Sequence, residues 1–172
     1  DFNNNFINKV DGGVQLIAGN VNGLPSFVSD GSGGYAVDFA GTKSLKTSAN
    51  FPINTSDKVY MEFDMKTTAT AGQVIVELST NYFSNNSFLA VINDVANKIE
   101  INDHNSSTNI GYSPISINTG VWINIKIIID RSLGVDQNKI YINNVLSYTQ
   151  NTTYYGNNNG NFGSYILYLG QR

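Results

Sequence analysis

Short segments of alternating apolar and polar residues, separated by clusters of Gly, Asn, Asp and Ser, fill nearly the whole chain. From Val59 to Lys66 the alternation is strict. Val59, Met61, Phe63 and Met65 share one face of an extended segment, and Tyr60, Glu62, Asp64 and Lys66 share the other. From Trp122 to Asp130 the pattern repeats: Ile123, Ile125, Ile127 and Ile129 alternate with Asn124, Lys126 and Ile128. The isoleucines are expected in a core, with Trp122 at a sheet edge or on a partly open face. No segment keeps apolar residues at i, i+3, i+4 and i+7 over three turns, so helices are not expected. The predicted strands are Val14–Ala18, Tyr35–Phe39, Ser44–Thr47, Lys58–Thr67, Gln73–Ser79, Phe88–Asn93, Lys98–Asn102, Trp122–Asp130, Lys139–Ile142, Leu146–Thr149 and Tyr165–Leu169. Between them lie Asp30-Gly31-Ser32-Gly33-Gly34, Asn85-Asn86, Asp103 through Asn109, and the Asn-rich stretch Asn151 to Asn161, all of loop chemistry. Many short strands at this spacing predict an all-β, antiparallel two-sheet sandwich, one domain over residues 1–172.

Composition narrows the classes of function. Lys plus Arg number 10 and Asp plus Glu 13, a net charge of −3, and only 13% of residues are charged. With no basic stripe, nucleic acid is not an expected partner. No apolar run approaches the ~20 residues of a membrane-spanning helix, so membrane insertion is not expected either. Polarity comes from neutral side chains, including 26 asparagines. Cysteine is absent, so the fold cannot rest on disulfides or zinc thiolates. The chain begins at Asp1 inside sequence that reads as structured, and is expected to be a processed chain or a module of a longer protein.

Several motifs fall in a recurring order. Gly33-Gly34-Tyr35-Ala36-Val37-Asp38-Phe39-Ala40-Gly41 precedes Ser44-Leu45-Lys46-Thr47, then Phe51-Pro52-Ile53-Asn54-Thr55 and the long strand from Lys58. Gly120-Val121-Trp122 opens the isoleucine strand, Ile140-Tyr141-Ile142-Asn143-Asn144 closes a hairpin, and Leu167-Tyr168-Leu169-Gly170 ends the apolar pattern. This succession resembles the laminin-G-like, or concanavalin A-like, jelly-roll domains over most of the chain. The resemblance implies a β-sandwich that recognises glycans or adheres to surfaces, with a minority of glycoside hydrolases. It also implies a further strand after Gly170, pairing with a first strand near Asp1. A gap there is expected to be filled by a neighbouring chain, by a segment of the parent protein or by Phe2–Ile7.

The candidate chemistry is sparse. His104 is the single histidine, so any Ser-His-Asp triad would have to be built on it. The jelly-roll hydrolases carry E-x-D-x-x-E on one strand; Glu62-Phe63-Asp64-Met65-Lys66-Thr67 has the first two acids and lacks the third. Retaining hydrolysis needs a second carboxyl about 5 Å away, so no enzyme is expected, and the acids are read as a solvated strand face near Lys66. A glycan site would use exposed aromatic faces beside amides and carboxylates. The loop aromatics Tyr82, Phe83, Tyr112, Tyr154 and Tyr155 are the candidates. Asp30, Asp130 and Asp136 are the candidate ligands for a structural calcium, and no other cofactor is expected. The expected function is non-catalytic carbohydrate binding in an extracellular, cell-surface or virion setting. The alternative is a structural or adhesion module contacting neighbouring protein chains, as in a phage appendage or surface adhesin.

Overall fold

The computed structural model describes residues 14–50, 58–68, 73–79, 87–93, 97–103, 108–117, 120–130, 132–133, 135, 138–150 and 166–170, with only the backbone described for 87–93, 102–103 and 108–112. Among these residues the regular structure is all strand: β1 Leu16–Ala18, β2 Ser26–Ser29, β3 Tyr35–Asp38, β4 Ser44–Thr47, β5 Lys58–Met65, β6 Gln73–Ser79, β7 Ser87–Asn93, β8 Lys98–Asp103, β9 Thr108–Ser116, β10 Ile123–Asp130, β11 Asn138–Ile142, β12 Val145–Thr149 and β13 Ile166–Gly170. They form a seven-stranded sheet in the order β1-β4-β13-β6-β7-β8-β9, a four-stranded sheet in the order β12-β11-β10-β5, and the separate hairpin β2-β3. Every pairing is antiparallel.

Alternation decides which side of each sheet is wet. Ile123, Ile125, Ile127 and Ile129 of β10 are buried and join Val59 of β5, Ile140 and Ile142 of β11, Val76 and Leu78 of β6, and Ile99 and Ile101 of β8 in one apolar cluster. The cluster draws on both large sheets, which therefore pack face to face. Fully burying each isoleucine contributes about 1.5–3 kcal/mol, so this single β10 face is a major source of the sandwich's stability. The β11–β12 hairpin turns at Asn143 and Asn144, with φ of 50° and 63°. Both values are left-handed, as the tight turn that matches sheet twist requires, and asparagine tolerates them.

Two expectations change. Ser26–Ser29 is a strand, paired residue for residue with Tyr35–Asp38. Thr108–Ser116 is the long edge strand β9, although its start lies within the predicted Asp103–Asn109 loop; pairing with β8 imposes the extended conformation on a sequence whose composition favours a turn. The apolar strand Ile166–Gly170 lies inside the seven-stranded sheet between β4 and β6, with Tyr168 opposite both Lys46 and Glu77. Phe2–Ile7 and the residues after Gly170, where a further strand and its partner are expected, lie outside the described residues. Gly170 closes β13 with φ of 85°, and a Cβ there would run into the Phe39 ring.

Candidate functional site

The register of the four-stranded sheet assembles its outward face from residues far apart in sequence. Across β5, β10 and β11, Asp64 faces Asn124, Glu62 faces Lys126 and Tyr141, and Tyr60 faces Ile128 and Lys139. Leu146 of β12 extends the middle row. Tyr60 and Leu146 are strongly exposed.

The centre of this face is organised by one ammonium group. Lys126 Nζ lies 6.0 Å from the Tyr60 ring centroid and 5.8 Å from that of Tyr141, so the cation is flanked by two aromatic rings. It also donates to Asn144 Oδ1 at 3.0 Å and stands 3.9 Å from Glu62 Oε2. Tyr60 Oη donates to Glu62 Oε2. That hydroxyl is the main reason the Glu62 carboxyl is held below its ordinary range; partial desolvation opposes it, and Lys126 and Asn124 assist. The same contact raises the Tyr60 phenol. Glu62 is therefore a fixed anion at neutral pH and not a proton donor. Toward the next row, Asn124 Nδ2 donates to Asp64 Oδ1 at 2.9 Å, and the Asn124 backbone N–H donates to Asn143 Oδ1 at 2.9 Å. The partner of Glu62 is thus the cross-strand Lys126, rather than Lys66 on its own strand.

Trp122 stands at the end of this face, just before β10, and is 42% exposed. Its indole Nε1–H donates to the Asp30 carbonyl at 3.0 Å, which ties the sheet to the β2–β3 turn. That turn is cross-linked by local hydrogen bonds. Asp30 Oδ1 accepts from the Ser32 and Gly34 backbone N–H groups at 2.7 and 3.0 Å, and Asp30 N–H donates to the Gly34 carbonyl at 3.1 Å. The bonds from Ser32 are also what chiefly lowers the Asp30 carboxyl. A Cβ on Gly34 would come 2.5 Å from Asp30 Oδ2, so a larger residue there would displace that carboxylate. Trp122 is thereby a fixed, partly exposed aromatic surface.

The two metal candidates among the described residues lie apart. Asp30 sits beside Trp122, whereas Asp130 ends the same strand eight residues on, roughly 26 Å away at strand rise. Asp130 accepts from Ser132 Oγ at 2.5 Å and pairs with Lys58 Nζ at 2.9 Å. Burial opposes its ionisation, but Ser132 and Lys58 prevail and keep the carboxyl below its usual value. Asp136 lies outside the described residues, and among those described no three His, Cys, Asp or Glu side chains group to hold a metal ion. Tyr82, Phe83, Tyr154, Tyr155 and His104 also lie outside the described residues, and Tyr112 is placed by its backbone alone, opposite Glu100. Tyr60 and Tyr141 lie on strands, outside the loops whose aromatics the sequence offers as candidates. The signal for them was present: Tyr60 was already on the solvated face of its strand, and Tyr141 alternates with two core isoleucines.

The seven-stranded sheet has a different outward face. Its register places Lys46, Tyr168 and Glu77 in one row across β4, β13 and β6, and Glu100 of β8 on the same side. Glu77 and Tyr168 are only 1% and 4% exposed, and Glu100 8%.

No family model matches the sequence, and no curated protein matches it. Solved structures match its fold. The carbohydrate binding module CBM66 from Bacillus subtilis superposes with a TM-score of 0.50 at 13% identity, over 93% of this chain and 94% of that one. Domains LG4-5 of the mouse laminin alpha1 chain give 0.45 at 11% identity, over 87% of this chain and 36% of theirs. The endo-1,3-beta-glucanase from Streptomyces sioyaensis gives 0.43 at 13% identity, over 95% and 68%. The chain shares the fold of that carbohydrate binding module, an antiparallel jelly-roll sandwich of the kind that the order of its sequence motifs implied.

Proposed function

We propose that this chain is a non-catalytic carbohydrate-binding module whose ligand lies on the outward face of the β12-β11-β10-β5 sheet. The observation that carries the reading is the pair of Tyr60 and Tyr141 rings fixed on either side of Lys126, with Glu62 and the Asn144 amide beside them. Sugars present an apolar C–H surface and a rim of hydroxyls. Aromatic faces take the first, and amides and carboxylates take the second. The rings are held in place before any ligand arrives, which lowers the ordering cost that makes shallow sites weak. Occurrence of the fold in a carbohydrate binding module of nearly equal extent agrees with this reading. An extracellular, cell-surface or virion setting belongs to the same proposal, supported by the low density of charge.

Affinity electrophoresis against a broad polysaccharide panel tests it, with Tyr60→Ala and Tyr141→Ala alongside a Tyr154→Ala/Tyr155→Ala variant. Retardation lost in the first two and kept in the last supports the sheet face. Retardation lost only in the loop variant moves the site to the loop aromatics. No retardation by any polymer, with self-association in sedimentation, supports the structural or adhesion module instead. Running the gels with calcium and with chelator asks whether an ion at Asp30, Asp130 or Asp136 contributes.

A second reading, a hydrolase, is favoured by one observation: Glu77 and Glu100 are two nearly buried carboxylates on the same outward face of the seven-stranded sheet. Release of reducing ends from the retarded polymers, abolished by Glu77→Gln, would establish it and displace the non-catalytic reading.

A further inference from the structure

The outward face of the four-stranded sheet is long, open and patterned along β10. Trp122 and Ile128 lie on the same face six residues apart, and Tyr60 stands directly across from Ile128. At about 3.3 Å per residue the two exposed aromatic ends are roughly 20 Å apart. Between them run the Asp64–Asn124 pair and the Glu62–Lys126–Tyr141 row. We infer that this face binds an internal stretch of a linear, neutral polysaccharide laid along β10, with Trp122 at one end, Tyr60 at the other and Tyr141 between them. The inference rests on the carbohydrate-binding reading and names the ligand class for that face.

Three features point to this class. First, the aromatic supports are too far apart for one sugar ring, so a mono- or disaccharide would touch only one of them. Second, the charges interleave. Lys66, Lys126 and Lys139 alternate across the face with Glu62 and Asp64, and the central ones are already engaged: Lys126 with Glu62 and Asn144, Asp64 with Asn124. A polyanion with regular charge would set some of its groups against Glu62 and Asp64, and a polycation would meet the three lysines. A neutral chain meets neither conflict and still finds amide and carboxylate acceptors. Third, the aromatic groups are fixed by unlike devices, Trp122 by the Asp30 carbonyl and Tyr60 by Glu62. Both ends of the track are pre-set, and a chain that spans them gains a second contact at the effective concentration set by its own length.

The test is calorimetric titration of the full chain with size-fractionated ladders of β-glucan, mannan and xylan oligosaccharides, and of alginate oligomers as the anionic counterpart. Affinity is expected to rise along one neutral ladder until the oligomer spans about 20 Å and then level off, since extra units gain no contact. Trp122→Ala should lower the affinity of the longest oligomers by roughly tenfold while leaving the shortest nearly unchanged. Trp122→Phe, which keeps a ring and loses the indole N–H, guards against a folding defect and should fall between the two. Binding of a single sugar as tight as that of the long chains, or preference for alginate, overturns the inference while leaving carbohydrate binding intact. So does an equal loss for short and long oligomers in Trp122→Ala. Absence of binding by every ladder and every panel polymer overturns both.

Discussion

The two large sheets share a core and differ in what they do with their other side. On the four-stranded sheet the outward residues stay in water: Tyr60 is 58% exposed and Trp122 42%. On the seven-stranded sheet the outward row holds Glu77 at 1% and Tyr168 at 4%. An ionisable carboxyl out of water is costly unless partnered, and both Glu77 and Glu100 do have interaction partners. The occluded face therefore spends its polar groups on internal satisfaction, and the open face keeps aromatic surface free for something else. Side chains of like chemistry become structural on one sheet and available on the other because of what surrounds them.

The sharpest way to break this contrast is to truncate one residue from each face. Removing a partnered, buried carboxylate strands the groups that bonded it, at a cost of about 3 kcal/mol. For a chain of this size that corresponds to a fall in Tm of roughly 6–12 °C. Glu77→Ala is therefore expected to show such a fall in differential scanning calorimetry, and Tyr60→Ala to melt with the parent protein. Equal melting of all three proteins would mean that Glu77 is not structural, and would strengthen the hydrolase reading of that face.

A smaller effect separates structure from presentation on the open face itself. Gly34→Ala places a methyl group against the Asp30 carboxylate without touching the core. The Asp30 turn must shift, and with it the carbonyl that holds Trp122. The expected result is a change of about 1 kcal/mol or less in stability, since an exposed turn absorbs it. Intrinsic fluorescence should nonetheless show an altered Trp122 environment, and long oligosaccharides should bind more weakly while short ones do not. Unchanged emission and unchanged binding would show that the turn does not position Trp122.

Much of this contrast was legible in the sequence on one side and illegible on the other. The β5 and β10 patterns place Tyr60, Glu62, Asp64, Asn124 and Lys126 on wet faces by counting residues in twos. They do not say that Glu62 and Lys126 are neighbours, because register between strands 60 residues apart is set by the whole sandwich. Along the strand Lys66 is the cation nearest to Glu62 and Asp64, and across it Lys126 is the one that Glu62 meets. The seven-stranded sheet is less legible. Alternation sets Glu77 apart from Val76 and Leu78, and only the tertiary arrangement makes its face nearly inaccessible. Thr108–Ser116 shows the same limit in backbone form: its Asn, Gly and Pro residues suggest loop, and pairing with β8 holds them extended.

The least perturbing probe is pH, and it asks whether the open face is fixed by Glu62. Its carboxyl is held low mainly by the Tyr60 hydroxyl, with Lys126 helping. A depressed carboxylate keeps its contacts above the ordinary Glu value of about 4.3 and loses them as pH falls through the lowered one. Oligosaccharide affinity should therefore be flat from about pH 8 down to about pH 5 and decline only in more acidic solution. Glu62→Gln should remove the acid decline, since a neutral amide still accepts from Tyr60, at the cost of weaker attraction to Lys126. A step in affinity inside that window that disappears in His104→Gln, a variant of the single histidine, would place the ligand near that residue instead. In that case Glu62 would not govern the affinity, and Tyr60→Ala and Tyr141→Ala would decide whether the open face still takes part or the contrast between the two sheets is one of stability alone.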